Sequence, residues 1–349
     1  MCRYPSHREG QPVEMRKVQV TGGSTYIVSL PKKWANQVGI GPNDTIGIVP
    51  QADGTLVLTP RLSSGEELRQ KTFDLREEPD ERELLRNLIG AYVTGYDIIE
   101  VHQAPRMSTE VRNVVRQFTQ LVIGPEIIDE DIDDIKTRDL LSPSDMPFRT
   151  SVQRMYRICS SMHREAVLAV CELNTDLAGD VILRDTEVDR LDWLVARQYN
   201  LLIRDVGLVE RLGTSREHAV NFMLIARILE RIGDHASRMA RQVEDLKEAR
   251  ARKPMLRRVR DISEKLLPIF DDVISALFER DGKLANGSLE RANGVLGEIR
   301  DLKEDVADSP KNMGLPLSVV ADSLDRTAHY LKDIGELVIN YAIDADGGK

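Results

Sequence analysis

Apolar residues recur at three- and four-residue intervals through the second half of the chain. From Pro147 onward this spacing predicts six long amphipathic helices, over 148–173, 175–205, 215–247, 255–280, 283–308 and 317–344. A short polar break, Ala249 to Pro254, divides them into two sets of three. The third helix carries a motif that returns on the sixth. Ala226, Leu229, Ile232 and Gly233 recur 102 positions later as Ala328, Leu331, Ile334 and Gly335, and Asp234 faces Glu336. A repeated helix with a glycine at one interior position implies a duplicated three-helix bundle. Such a glycine costs about 1 kcal/mol relative to alanine, which points to a packing reason.

The first 142 residues follow another rhythm. Residues 16–60 predict strands over Arg16–Val20 and Thr25–Leu30 about the turn Thr21-Gly22-Gly23-Ser24. Pro31 opens a short helix that stops at Gly39. A second strand pair, Thr45–Val49 and Thr55–Leu58, follows about Ala52-Asp53-Gly54. This segment holds too few apolar side chains for a lone core, so it needs a second copy of itself and predicts a homodimer. Residues 61–79 read as a polar connector with a strand at Thr72–Leu75. Then come a helix around Leu84–Ile89, a strand Asp97–His102, a helix Val111–Leu121 capped by Ser108, and strands Pro125–Asp129 and Asp133–Leu140. No phosphate loop, dinucleotide-binding glycine motif or nucleophile elbow occurs there.

The expected fold class is therefore multi-domain and mainly α. A β-rich head and a small α/β middle segment precede tandem three-helix bundles. The expected boundaries are a flexible tail 1–14, a head 15–62, a connecting domain 63–142, and bundles 143–249 and 250–349. The tail is polar and is followed by Met15, an alternative start.

Composition changes this picture in three ways. No apolar run approaches the length of a membrane span, and the N-terminus lacks the apolar core of a secretory signal. Cys2, Cys159 and Cys171 form no CxxC pair, which fits a reducing cytoplasm and excludes a cysteine zinc finger. Charge is uneven. From Met15 to Leu62, five basic residues outnumber two acidic ones, whereas the whole chain carries −9. A basic module on an acidic body calls for an anionic partner at that end.

Two candidate sites follow. Arg16, Lys17, Lys32 and Lys33 would contact phosphates of double-stranded DNA, with Ser24 and Thr25 adding hydrogen bonds from the turn. Asp185 and Asp189 lie four apart on one helix, and Glu230 and Asp234 four apart on the next, so each pair projects from one face. Converging, they would offer hard oxygen donors to iron, zinc, magnesium or calcium. Diverging, they are a solvated helix face with Arg227 as ion-pair partner of Glu230. They should lie on an outward face, because Ile225, Ile228, Leu229 and Ile232 claim the buried stripe. Aligning Leu177-Ala178 with Leu284-Ala285 sets Asp185 and Asp189 against Ala292 and Leu296, and Glu230 falls against Lys332. Any metal thus belongs to the first bundle. The six histidines form no ligand pair and read as surface or capping residues.

Two resemblances sharpen these readings. Arg16-Lys17-Val18, the glycine turn, Leu30-Pro31, the basic helix and Val38-Gly39-Ile40-Gly41-Pro42-Asn43-Asp44-Thr45 resemble the swapped-hairpin DNA-binding domain of the AbrB, MazE and SpoVT families. The arginine common after the turn glycine is absent here. Asp185-Thr186-Glu187-Val188-Asp189-Arg190-Leu191 and Glu230-Arg231-Ile232-Gly233-Asp234-His235-Ala236 resemble the PhoU family of phosphate-uptake regulators, specifically an archaeal type with a DNA-binding head. That resemblance implies tandem three-helix bundles with an Asp/Glu-x-x-x-Asp metal motif, and a non-enzymatic regulator of phosphate uptake. Its expected partners are promoter DNA and a phosphate transporter's ATPase or a sensor protein. The competing readings are a docking adaptor that binds no DNA and a di-metal carboxylate enzyme. The latter lacks the Glu-x-x-His pairs of ferritin-like oxidases.

Overall fold

The computed structural model describes residues 14–50, 54–59, 68–205 and 208–346. Residues 1–13 of the expected tail 1–14, the turn residues 51–53, and residues 60–67, which include the first part of the connector, lie outside the described residues. The chain divides into two compact units, Met1–Glu67 and Leu68–Lys349.

Among its described residues the first unit holds two antiparallel hairpins and one helix. Strands β1 (Gln19–Thr21) and β2 (Thr25–Ile27) pair through Val20 and Tyr26. Gly22 and Gly23, with φ of 63° and 82°, turn the chain between them. Helix α1 (Lys32–Val38) begins after Pro31 and ends on Gly39 in the left-handed region. Strands β3 (Gly47–Pro50) and β4 (Leu56–Thr59) form the second hairpin. None of the unit's described residues is fully buried. Val18, Val20, Tyr26, Ile48 and Leu56 all stand exposed, which is the apolar surface a second copy would have to cover.

The second unit opens with a four-stranded sheet. It comprises β5 (Gln70–Asp74), β6 (Ile98–His102), β7 (Pro125–Glu130) and β8 (Asp134–Asp139), in the order β5-β6-β8-β7. Strands β5 and β6 run parallel because α2 (Glu81–Val93) crosses between them. Helix α3 (Thr109–Leu121) follows β6, and the Ser108 hydroxyl accepts from Val111 N–H as its cap. Ile99, Val101 and Ile135 point from the sheet to Leu88, Val115 and Phe118 of the helices, making a small core of their own.

Six long helices complete the unit. They are α4 (Phe148–Glu172), α5 (Thr175–Arg204), α7 (Arg216–Ala240), α9 (Lys253–Glu279), α10 (Gly282–Ala307) and α11 (Lys311–Asp346). Two short helices, α6 (Leu208–Leu212) and α8 (Val243–Glu248), lie in the connections. Helices α4, α5 and α7 form one three-helix bundle and α9, α10 and α11 another. The bundles meet along α4 with α9 and α7 with α11, and one continuous apolar core runs through both.

The third helix expected over 215–247 breaks after Ala240 and resumes as α8. The sixth starts earlier than expected, at Lys311, and carries Pro316 in its second turn, where proline cannot donate the backbone bond to the fourth residue before it. In the first bundle, the Cys159 thiol of α4 donates to the Leu229 carbonyl of α7 at 3.2 Å, and burial pushes that thiol's pKa up.

Arg197, 2 % exposed, ties α5 to the sheet. Its guanidinium donates to the Tyr92 and Tyr96 carbonyls at 2.7 and 2.8 Å and pairs with Asp97 at 3.1 Å and Asp139 at 2.7 Å. A buried arginine is tolerable only when its donors are satisfied in this way.

Candidate metal centre between the second and third helices

Helices α5 and α7 lie side by side, and the i, i+4 spacing stacks Glu230 and Asp234 along the groove between them. Asp189 approaches from α5. One carboxylate oxygen from each of Asp189, Glu230 and Asp234 lies within 4.8 Å of the others, a separation that one cation's ligands can span. Asp185, the fourth residue expected here, stands outside this trio. It faces Gly233, whose missing Cβ would stand 3.7 Å from Asp185 Oδ1.

The expectation of an outward face needs correction. Ile225, Ile228, Leu229 and Ile232 do fill the core. Asp234 is exposed, but Asp189 and Glu230 are half-buried, and the Glu230 side chain is only 17 % exposed. Two helices packed this closely shield whatever points along their shared groove.

The electrostatics follow from that geometry. Desolvation and then Asp234 raise Glu230 to about 7, and desolvation followed by Asp185 and Asp234 raises Asp189 to about 6. Arg227 is the cation at the site. It pairs with buried Asp192 at 2.8 Å and reaches Glu230 only at 3.7 Å. The carboxylates thus carry more negative charge than their neighbours neutralise. The oxygen-only donor set and its excess charge fit a hard or borderline divalent cation, held by Asp189, Glu230 and Asp234.

In the second bundle, the packing corrects the sequence alignment. Gly233 faces Val188 and Asp185, whereas Gly335 faces Leu289 and Ala285. The residues opposite Asp185 and Asp189 are therefore near Ala285 and Leu289, rather than Ala292 and Leu296. The helix starts align at one offset, while the contacts between helices are shifted by almost two turns. Among the described residues no ligand trio occurs in α9 to α11. The two glycines also differ in reason. A Cβ on Gly335 would meet Leu289 Cδ1 at 2.2 Å, but one on Gly233 would meet Val188 at an ordinary 3.5 Å.

The DNA-contact candidates occupy four places on the first unit. Arg16 and Lys17 precede β1, Ser24 lies in the turn, Thr25 opens β2, and Lys32 and Lys33 open α1. All six are exposed, and Arg16 pairs with Glu14.

Two histidines depart from the expected surface role. His163 is buried between α4 and α9, where its Nε2 lies 3.1 Å from Ser263 Oγ and burial lowers it to about 4. His235 Nδ1 lies 3.2 Å from Ser323 Oγ across α7 and α11. Sequence reasoning also passed over His102, Asp133 and Asp134, which gather at the ends of β6 and β8. His102 Nδ1 and Asp134 lie 2.9 Å apart there as a surface pair. Asp192 and Arg197 were missed because a charge on a helix reads as surface until its neighbours are known.

Comparison with known proteins decides what the helical half is. A PhoU domain model matches residues 152–243, which run from α4 to the start of α8 and include the acidic trio. The chain carries a PhoU domain. A second family model, the antidote-toxin recognition MazE of bacterial antitoxins, matches residues 19–65. The chain is 22% identical over 199 residues to a phosphate-specific transport system accessory protein PhoU homolog 1 of Thermotoga maritima, covering 55% of this chain and 84% of that one. It is 25% identical over 193 residues to a phosphate-specific transport system accessory protein PhoU homolog of Caulobacter vibrioides, covering 54% and 83%. The crystal structure of PhoU from Pseudomonas aeruginosa shares the fold with a TM-score of 0.50 at 20% identity, over 57% of this chain and 96% of that one. Along the chain, the PhoU match thus follows a MazE match and a small α/β layer. No helix among the described residues is long and apolar enough to cross a membrane.

Proposed function

We propose that the protein is a cytoplasmic regulator of phosphate uptake. In this reading its first unit forms a homodimer that binds double-stranded promoter DNA, and its PhoU body holds a divalent cation. The observation that carries it is the union, in one chain, of a MazE-type unit with exposed Lys32 and Lys33 and a PhoU domain. Exposed Val20, Tyr26 and Ile48 supply the apolar surface for dimerisation, and the basic residues before β1 and at α1 supply phosphate contacts. Asp189, Glu230 and Asp234 would hold iron, zinc or magnesium, and Asp185 would stand beside them. The cation would neutralise their repulsion and clamp α5 to α7.

The test is a salt titration of binding to a promoter duplex. Each lost phosphate contact should reduce the slope of log K against log salt by about 0.9. Lys32→Ala and Lys33→Ala variants that retain the wild-type affinity and slope exclude this placement. A second reading, favoured by the accessory-protein names of the relatives, is a docking adaptor for a phosphate transporter's ATPase or its sensor without DNA contact. Binding of the ATPase together with no salt-dependent DNA binding would select it.

A further inference from the structure

Helices α7 and α11 run antiparallel, with His235 beside Ser323 and His218 against Tyr341. Beside the last turn of α7, the first turns of α11 and the last turns of α10 line an open cleft of about 850 Å³. Val306, 4 % exposed, lies at its base, with Val319 half-buried beside it and Leu315 standing 75 % exposed at the margin. Three cations reach it from three helices: Arg238 from α7, Lys303 from α10 and Lys311 from α11. Lys303 is engaged by Asp325 at 3.2 Å and by Asp322, the cleft's one acidic residue, at 3.6 Å. Arg238 and Lys311 are exposed and, among the described residues, have no ion-pair partner.

We propose that this cleft binds an organic phosphate of nucleotide size. The phosphate would lie between Arg238 and Lys311, and its weakly polar remainder against Val306, Leu315 and Val319. Charge sets the first part. A phosphate monoester carries about −1.5 to −2 near neutral pH, which matches the two unpaired cations, and the arginine fork suits paired phosphate oxygens. Size and surface set the second part. The cleft lies within the roughly 300–1,000 Å³ range of small-molecule sites, far more than an inorganic ion needs, and such an ion would gain nothing from an apolar base. The cleft shares no residue with the acidic trio or with the residues assigned to DNA, so this proposal stands whichever way the DNA test falls.

The test is calorimetric titration of the full chain, in chelator, with AMP as the probe and inorganic phosphate, adenosine and a glutamate-rich peptide as comparisons. AMP should bind at one site per chain. Arg238→Ala and Lys311→Ala should each weaken it about tenfold, in line with the loss of one charge-assisted contact. Adenosine and inorganic phosphate should both bind more weakly than AMP. Both cations are exposed, so unchanged circular-dichroism melts should confirm that the variants fold. A Lys32→Ala/Lys33→Ala double variant should keep wild-type AMP affinity, which separates this result from failure of the DNA reading. No AMP binding at millimolar concentration overturns the proposal, as does affinity indifferent to both cleft variants. Inorganic phosphate binding as tightly as AMP also overturns it, as does binding of the peptide alone.

Discussion

The two three-helix bundles share a helix order and an interior glycine, yet they part in what lies beneath that glycine. In the first, Gly233 looks onto Val188 and Asp185 at ordinary contact distance, and the groove beside it collects Asp189, Glu230 and Asp234. In the second, Gly335 sits tightly against Leu289, and among the described residues no acidic trio gathers beside it. The repeat preserves a backbone position while the chemistry around it differs. A shared glycine therefore reports a shared helix contact, and says nothing about a shared site.

The largest test of this contrast is Arg197, because α5 of the first bundle also carries the α/β layer. Replacing Arg197 with methionine strands Asp97 and the buried Asp139 without their cation. Urea unfolding should show a loss of about 3–5 kcal/mol. Asp97→Asn, which removes the charge of one half-buried partner, should cost less and keeps the question answerable if the arginine variant does not fold. A loss below about 1 kcal/mol for Arg197→Met would mean that the layer is not held through this residue.

A smaller effect should come from pH, with metal chelated. The folded protein raises Glu230 from 4.5 to about 7, so between those values the native state binds the proton more tightly than the unfolded chain. Stability should therefore fall as pH rises through that window, by of order 1–3 kcal/mol. Glu230→Gln should flatten this dependence and raise stability at pH 8, while abolishing metal uptake. Lys332→Gln, at the matching place of the second bundle, should leave the slope unchanged. A wild-type slope in Glu230→Gln would show that the carboxylate is not strained in the folded state.

The smallest effect separates the glycines themselves. Gly233→Ala adds a Cβ at ordinary contact and should gain about 0.5–1 kcal/mol from helix propensity. Gly335→Ala must displace the end of Leu289, so it should gain less or lose. Thermal midpoints in the reverse order would contradict the packing described for the two bundles.

Much of this architecture was legible because amphipathic helices announce themselves by period. The sequence spacing found α4, α5, α9 and α10 to within a few residues, and Ser108 marked the start of α3 through its cap. The pairing of Glu230 with Asp234 was legible too, since both lie on one helix. What Asp189 and Asp185 do was not, because the relative slide of two helices leaves no trace in either sequence alone. The same blindness misaligned Ala292 and Leu296 with the acidic positions. Arg197 was invisible for another reason: its partners at residues 92–97 and 139 are distant in the chain, and only the packed layer brings them together.

Cys159 gives the first bundle a built-in clock. A thiolate reacts and a thiol does not, and here burial keeps the thiol protonated and out of reach. A reagent can modify it only after α4 and α7 part. Labelling kinetics at this atom therefore count the openings of the bundle that holds the acidic trio, and a cation that clamps α7 to α5 would lengthen the interval between them.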